Sequence, residues 1–292
     1  MAGAVSRALR LPTGWLLLAP ALLLVGILLI GLGRMLELSL HELDLSTYRL
    51  RAEYTLANYE TVLSRPVTWR ILLRTFMGAL IVTAATLVLA FPYAYLLVRT
   101  PSALTRKALL VALFLPFFIG QVVRAYGWLI ILGREGLLNA ILTGIGLPAQ
   151  DFLFTYGTVL FGLVQYMLPF AVLLLVPALA AIPQDMERAS EGLGAAWPAT
   201  FGFVLLPLCL PGLIGASVVV FTLTLTDFAM PEILGGGTQD FFASVIYDAF
   251  FQISNSGQGA ALAIVLTGVG SLIVAAIFVA AGTGTLGFRS VR

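Results

Sequence analysis

The chain has 292 residues, of which 60% are hydrophobic and only 10% charged, with a formal net charge of +2. A soluble domain carries about 45–50% apolar and about 25% charged residues, so this chain lacks the polar side chains to cover a water-facing surface. Its wealth of Val, Ile, Leu and Phe excludes disorder, and its small charge leaves no electrostatic footprint for nucleic acid.

Rare residues remove further classes. The one lysine, Lys107, follows Arg106, so no Gly-x-x-x-x-Gly-Lys phosphate loop exists and the chain cannot itself be a P-loop ATPase. A single histidine (His41) and a single cysteine (Cys209) cannot build a Cys/His zinc site or an intramolecular disulfide. No cofactor site is expected. His41 sits in a polar stretch and reads as a surface residue, and Cys209 as a small buried hydrophobe.

A spanning helix needs about 20 mostly apolar residues. In chain order the candidates are 11–33, a retained anchor preceded by Arg7 and Arg10; 75–98; 108–133, interrupted by Arg124; part of 152–184; 203 to just before Pro231, with Asp227 near its end; and 260–281. The expected architecture is all-α: six transmembrane helices, each helical because backbone groups in hydrocarbon have no water to bond. Residues 37–74 mix Glu42, Asp44, Glu53 and Glu60 with arginines and predict a folded amphipathic extracytoplasmic element. The expected division is therefore 1–70 for the anchor and this segment, 71–281 for the main transmembrane domain, and 282–292 for a short tail.

Six crossings place both termini on one side. With cytoplasmic termini, eight basic residues (Arg7, Arg10, Arg99, Arg106, Lys107, Arg188, Arg289, Arg292) lie inside and seven (Arg34, Arg49, Arg51, Arg65, Arg70, Arg74, Arg134) outside. That is nearly a tie under the positive-inside rule, and Arg7 with Arg10 before the first helix favours a cytoplasmic N-terminus.

Residues 181–207, between the fourth and fifth helices, are out of character. Pro183 suits the start of a short helix, Asp185 and Glu187 favour its first turn, Gly192 and Gly194 end it, and Pro198 opens a second helix after Trp197. The result is a helix-turn-helix lying across the membrane surface; an interfacial loop with no partner is the competing reading. The order of residues resembles the coupling loop of type I ATP-binding-cassette importer permeases: Glu-Ala-Ala, three residues, Gly, nine residues, Ile-x-Leu-Pro. Gly194, Ala195, Thr200, Phe201, Leu205, Leu206 and Pro207 match in position, while Arg188, Ala189 and Ser190 stand at the Glu-Ala-Ala triplet. Arginine thus replaces the family glutamate, with Glu187 or Glu191 as the nearest acids.

Further segments are similar to the spermidine/putrescine branch of that family: Leu72-Leu-Arg-Thr75, Phe91-Pro-Tyr-Ala-Tyr95, Leu115-Pro-Phe-Phe118, Val123-Arg-Ala-Tyr-Gly-Trp128, Gly133-Arg-Glu-Gly-Leu-Leu-Asn139, Gln165-Tyr-Met-Leu-Pro-Phe170 and Pro231-Glu-Ile-Leu-Gly-Gly236. They run in order over roughly residues 55–280.

The resemblance implies a non-catalytic permease subunit in a bacterial inner membrane. Its partners would be a second permease subunit, identical or homologous, two cytosolic ATPases, and an extracytoplasmic binding protein delivering a small solute. A polyamine is the expected solute, with opines and phosphonates as alternatives. Glu187, Arg188, Ala189, Glu191 and Gly194 are the expected ATPase-coupling residues. Ionisable groups at membrane depth mark pathways or structural pairs. Asp227 and Glu232 are accordingly candidates for the translocation path, Arg124 for a gating partner of Asp227, and Tyr126 and Trp128 for path-lining aromatics or interfacial anchors. An ion-coupled transporter would be expected to show an inverted repeat or several intramembrane acids, and a membrane enzyme a nucleophile with its base. Neither pattern is evident.

Overall fold

The computed structural model describes residues 13–44 and 46–281. Arg7, Arg10, the start of the anchor and the 282–292 tail with Arg289 and Arg292 lie outside them. Helix α1 (Thr13–Ser39) leads into a β-hairpin, β1 (His41–Asp44) and β2 (Arg49–Tyr54), then α2 (Ala57–Ser64) and the long α3 (Pro66–Arg99). Next come α4 (Ala103–Phe117), α5 (Gln121–Leu132), α6 (Leu137–Gly144), α7 (Tyr156–Ala180), α8 (Gln184–Gly192) and α9 (Trp197–Thr200). A π-helical turn (Phe201–Leu205) joins α9 to α10 (Leu206–Leu225), followed by α11 (Ala229–Gly235), α12 (Phe242–Tyr247), a second π turn (Asp248–Gln252) and α13 (Ser256–Ala281).

Among the described residues, five helices are long and apolar enough to cross a membrane, and α4 with α5–α6, a pair bent by 94°, is long and apolar enough together to count as a sixth. Local chemistry sets the boundaries. Pro66 occupies the first turn of α3, where its missing N–H costs nothing. Ser102 and Thr155 cap α4 and α7 by accepting the backbone N–H groups of Thr105 and Thr158. The third span was expected to run through 108–133. It breaks instead at 118–120, after Pro116, where Gly120 precedes α5. The first π turn ends two residues before Pro207, which has no N–H with which to continue an i→i−4 ladder.

Helices α3, α7 and α10 form the heart of the molecule, around Val82, Leu163, Met167, Leu175, Val220 and Cys209, all fully buried. A second cluster joins α2, α3, α10, α12 and α13 through Val62, Leu72, Phe221, Phe242 and Leu262. Helix α1 packs along α13, and its residues 18–32 leave their apolar side chains largely exposed, as suits a lipid-facing helix. The hairpin and α2 form the expected folded element of the 37–74 segment. Buried Asn58 ties it together, its Nδ2 donating to the Ser39 and His41 carbonyls, each at 2.9 Å.

Two faces result. One carries the hairpin, α2, α6, α11, α12 and the N-terminal ends of α3, α7 and α13. The other carries α8, α9, the C-terminal ends of α3 and α7, and the outer ends of α1 and α13.

Candidate functional site: the α8–α9 loop and the bent third span

The sequence reading of the 183–200 loop matches its backbone closely. Pro183 precedes α8, and the acids Asp185 and Glu187 lie in its first turn, where carboxylates favour the helix dipole. Gly194 adopts φ +85°, in the left-handed region. Its N–H reaches the Glu191 carbonyl (2.8 Å), and the Ala195 N–H reaches the Ser190 carbonyl (3.1 Å). This is a Schellman termination, which uses up the free carbonyls of the last turn. The Ser190 and Thr200 hydroxyls meet at 3.0 Å and hold α8 to α9.

The candidate coupling residues divide by direction. Arg188, Ala189, Glu191 and Gly194 face outward, Arg188 lying 3.5 Å from Asp185 across one turn. A side chain added at Gly194 would meet nothing of its own chain within 4 Å. Glu187 turns inward and is buried. Its carboxylate accepts the Tyr95 hydroxyl at 2.8 Å and pairs with Arg99 at 2.5 Å, both on the last turns of α3. Arg99 also donates to the Ile182 carbonyl at 2.9 Å. Tyr95 meets the Trp197 ring edge-on at 6.2 Å, and Trp197 stacks on Phe201 at 5.4 Å. Glu187 therefore anchors the loop to the end of α3. The sequence reading missed Tyr95 and Arg99 as its counterparts. The available signal was their i, i+4 spacing at the end of a span, which places them on one helical face.

The membrane-depth candidates do not pair as expected. Asp227 lies beyond the end of α10, in the break before α11, rather than within the helix. Its Oδ2 accepts the Gln121 amide, and its Oδ1 accepts the Met230 N–H at 3.0 Å, capping α11. Among the described residues it forms no ion pair with Arg124. Arg124 lies one turn into α5, and its guanidinium turns back to the Pro116 and Ile119 carbonyls, the latter at 3.0 Å. Both carbonyls lie where α4 ends, and the Pro116 carbonyl also accepts the Ile119 N–H (3.2 Å), so the bend gathers helix-end acceptors that hold the arginine away from an acid. The charge also lies over the Tyr166 ring, 5.4 Å from its centroid. Arg124 braces the bent span.

Trp128, one turn further along α5, packs edge-on against Phe161 of α7 (4.7 Å) and donates to Gln165 (3.4 Å). Tyr126 points outward and is 55% exposed. The two aromatics therefore do not line one surface. Glu232 lies on α11, away from Asp227, in a group of acids with Asp240 and Asp248. Partial burial, then repulsion from Asp248, pushes the carboxyls of Glu232 and Asp240 above their ordinary range, while Arg74 pulls Asp240 back.

No family model matches the chain. It is 33% identical over 265 residues to the inner membrane ABC transporter permease protein YdcU of Escherichia coli (strain K12), covering 86% of this chain and 84% of that one. It is also 33% identical over 223 residues to the spermidine/putrescine transport system permease protein PotB of the same organism, covering 76% and 80%. A chain of a bacterial ABC transporter involved in the import of the acidic polysaccharide alginate superposes with a TM-score of 0.72 at 20% identity, covering 91% of this chain and 95% of that one. This last likeness is one of fold. With identity of this extent to two permeases, the chain belongs to the ABC-transporter permease family, which includes the spermidine/putrescine permeases.

Proposed function

We propose that this permease forms one half of the translocation path of a binding-protein-dependent importer for a polyamine. It is paired with a second permease subunit and driven by two cytosolic ATPases. The chain is non-catalytic in this reading, and ATP is hydrolysed on the partners. The face carrying α8 and α9 is cytoplasmic, as are both termini. Residues 71–281 form the permease domain, 1–70 the anchor with its extracytoplasmic element, and 282–292 a tail. An extracytoplasmic binding protein delivers the solute to the face that carries the hairpin, α2 and α11.

The observation that carries this reading is the capped α8–α9 loop. It presents Arg188, Ala189, Glu191 and Gly194 outward from a firmly held base, in a chain 33% identical to a spermidine/putrescine permease. Conformational work passes through a docked element only if that element is rigid on its own side. Reconstitution in proteoliposomes with the ATPase and binding protein encoded beside it tests the proposal. The expected result is ATP-dependent spermidine uptake that withstands collapse of ion gradients. Uptake that follows an ion gradient without ATP refutes the importer mechanism. ATP-driven uptake of an opine or phosphonate in place of spermidine refutes the solute.

A further inference from the structure

A nine-residue helix such as α8 is too short to be stable by itself in water, where even good helix formers are marginal below about 12–15 residues. Its anchoring is also unusual in kind. The side chains of Glu187 on α8 and Arg99 on α3 are only 12% and 13% exposed, although α8 itself is rich in polar and charged residues. Arg99 grips both sides of the α8 N-terminus, the Ile182 carbonyl before it and the Glu187 carboxylate within it. Tyr95 donates a hydrogen bond to the other oxygen of that carboxylate and also touches Trp197 of α9. The two halves of the loop are thus fastened to one turn of α3.

Helix α3 is 34 residues long, about 51 Å at 1.5 Å per residue, and so exceeds the roughly 30 Å hydrocarbon layer. At its far end it is fastened again. The Arg74 carbonyl accepts the Tyr156 hydroxyl (3.0 Å), and Thr75 Oγ1 accepts the Phe242 N–H (2.8 Å).

We infer that Glu187, Arg99 and Tyr95 form a joint that transmits movement of the α8–α9 loop into α3 and through it to the opposite membrane face. In this role Glu187 is a positioning residue and not an ATPase contact, and the arginine at the family's glutamate position, beside Asp185, faces the outer surface. The inference rests on the proposed role of the loop as an ATPase dock.

The test uses the reconstituted complex with an environment-sensitive fluorophore on Arg70→Cys, at the exposed far end of α3. The natural Cys209 is fully buried and does not compete for label. The quantity read is the ATP-driven fluorescence change per ATP hydrolysed. It is expected to fall about twofold in Tyr95→Phe, which removes the hydrogen bond to the carboxylate and leaves only the Arg99 ion pair. In Glu187→Gln, which leaves the Arg99 charge buried without a counter-ion, it is expected to be lost while hydrolysis persists. A full response in Tyr95→Phe overturns the inference, whether or not Glu187→Gln assembles. A parallel fall of response and hydrolysis, leaving their ratio intact, overturns it as well. Failure of the unmodified chain to hold an ATPase would instead be a failure of the proposed function.

Discussion

Replacing Gly194 by alanine and by asparagine separates two reasons for a glycine at that position. The backbone there has φ +85°, and the N–H groups of residues 194 and 195 close the end of α8. An L-residue with a Cβ in this region costs about 1–2 kcal/mol, whereas asparagine tolerates it much better. A Cβ at 194 finds open space within its own chain, so no steric term adds to the backbone term. In the isolated, detergent-solubilised permease, Gly194→Ala is therefore expected to lower the local stability of α8 by about 1–2 kcal/mol, with Gly194→Asn close to the parent. Amide hydrogen exchange along 184–195 reads this directly, since local opening need not follow global unfolding.

The docking reading makes the opposite ranking for binding. The asparagine side chain projects from a surface held against the ATPase, and overpacking there costs about 1–3 kcal/mol. That corresponds to roughly 5- to 150-fold weaker ATPase binding. Titration of labelled ATPase onto permease in nanodiscs measures it. Parent-strength binding by Gly194→Asn would refute the close approach at this glycine, and unchanged exchange in Gly194→Ala would refute the strained cap.

Two other substitutions test the packing and the path. A Cβ at Gly212 of α10 would lie 2.3 Å from the Cβ of Ala178 on α7, so Gly212→Ala forces two spans apart and is expected to cost about 1–3 kcal/mol in thermal unfolding in detergent. Adding Ala178→Gly should recover most of that loss; an additive double variant contradicts the contact. At Asp227, asparagine keeps the oxygen that caps α11 and alanine does not, so alanine alone should lose about 1 kcal/mol of stability. If the charge serves a cationic solute in transport, Asp227→Asn should lower spermidine uptake about tenfold, the equivalent of a ~1.4 kcal/mol interaction. Unchanged affinity and rate would remove Asp227 from the path.

How legible each part was depended on the range of the interactions involved. The α8–α9 loop was legible almost residue by residue, because Pro183, Gly194 and Pro198 act through φ angles and missing or terminal hydrogen bonds within a few positions. The five unbroken spans were equally plain, since hydrocarbon solvation is a property of composition. The third span was harder. Pro116 and Gly120 were visible, but a kinked helix and a 94° bend share the same local pattern, and neighbouring packing chooses between them. Arg124 and Asp227 looked like partners because each is an isolated charge in an apolar run. Their real contacts, two carbonyls and a ring for one and an amide with a backbone N–H for the other, exist only once the bend and the α10–α11 break have formed.

By itself, then, the amino-acid sequence determined the solvent, the positions of the apolar spans and the local shape of the α8–α9 loop, because apolar transfer and backbone geometry are short-range and nearly additive. Only the tertiary structure decided which charges meet. Glu187 finds Arg99 and Tyr95 about 90 positions away in the chain because the ends of α3 and α7 pack side by side, and no local propensity encodes a contact across that distance.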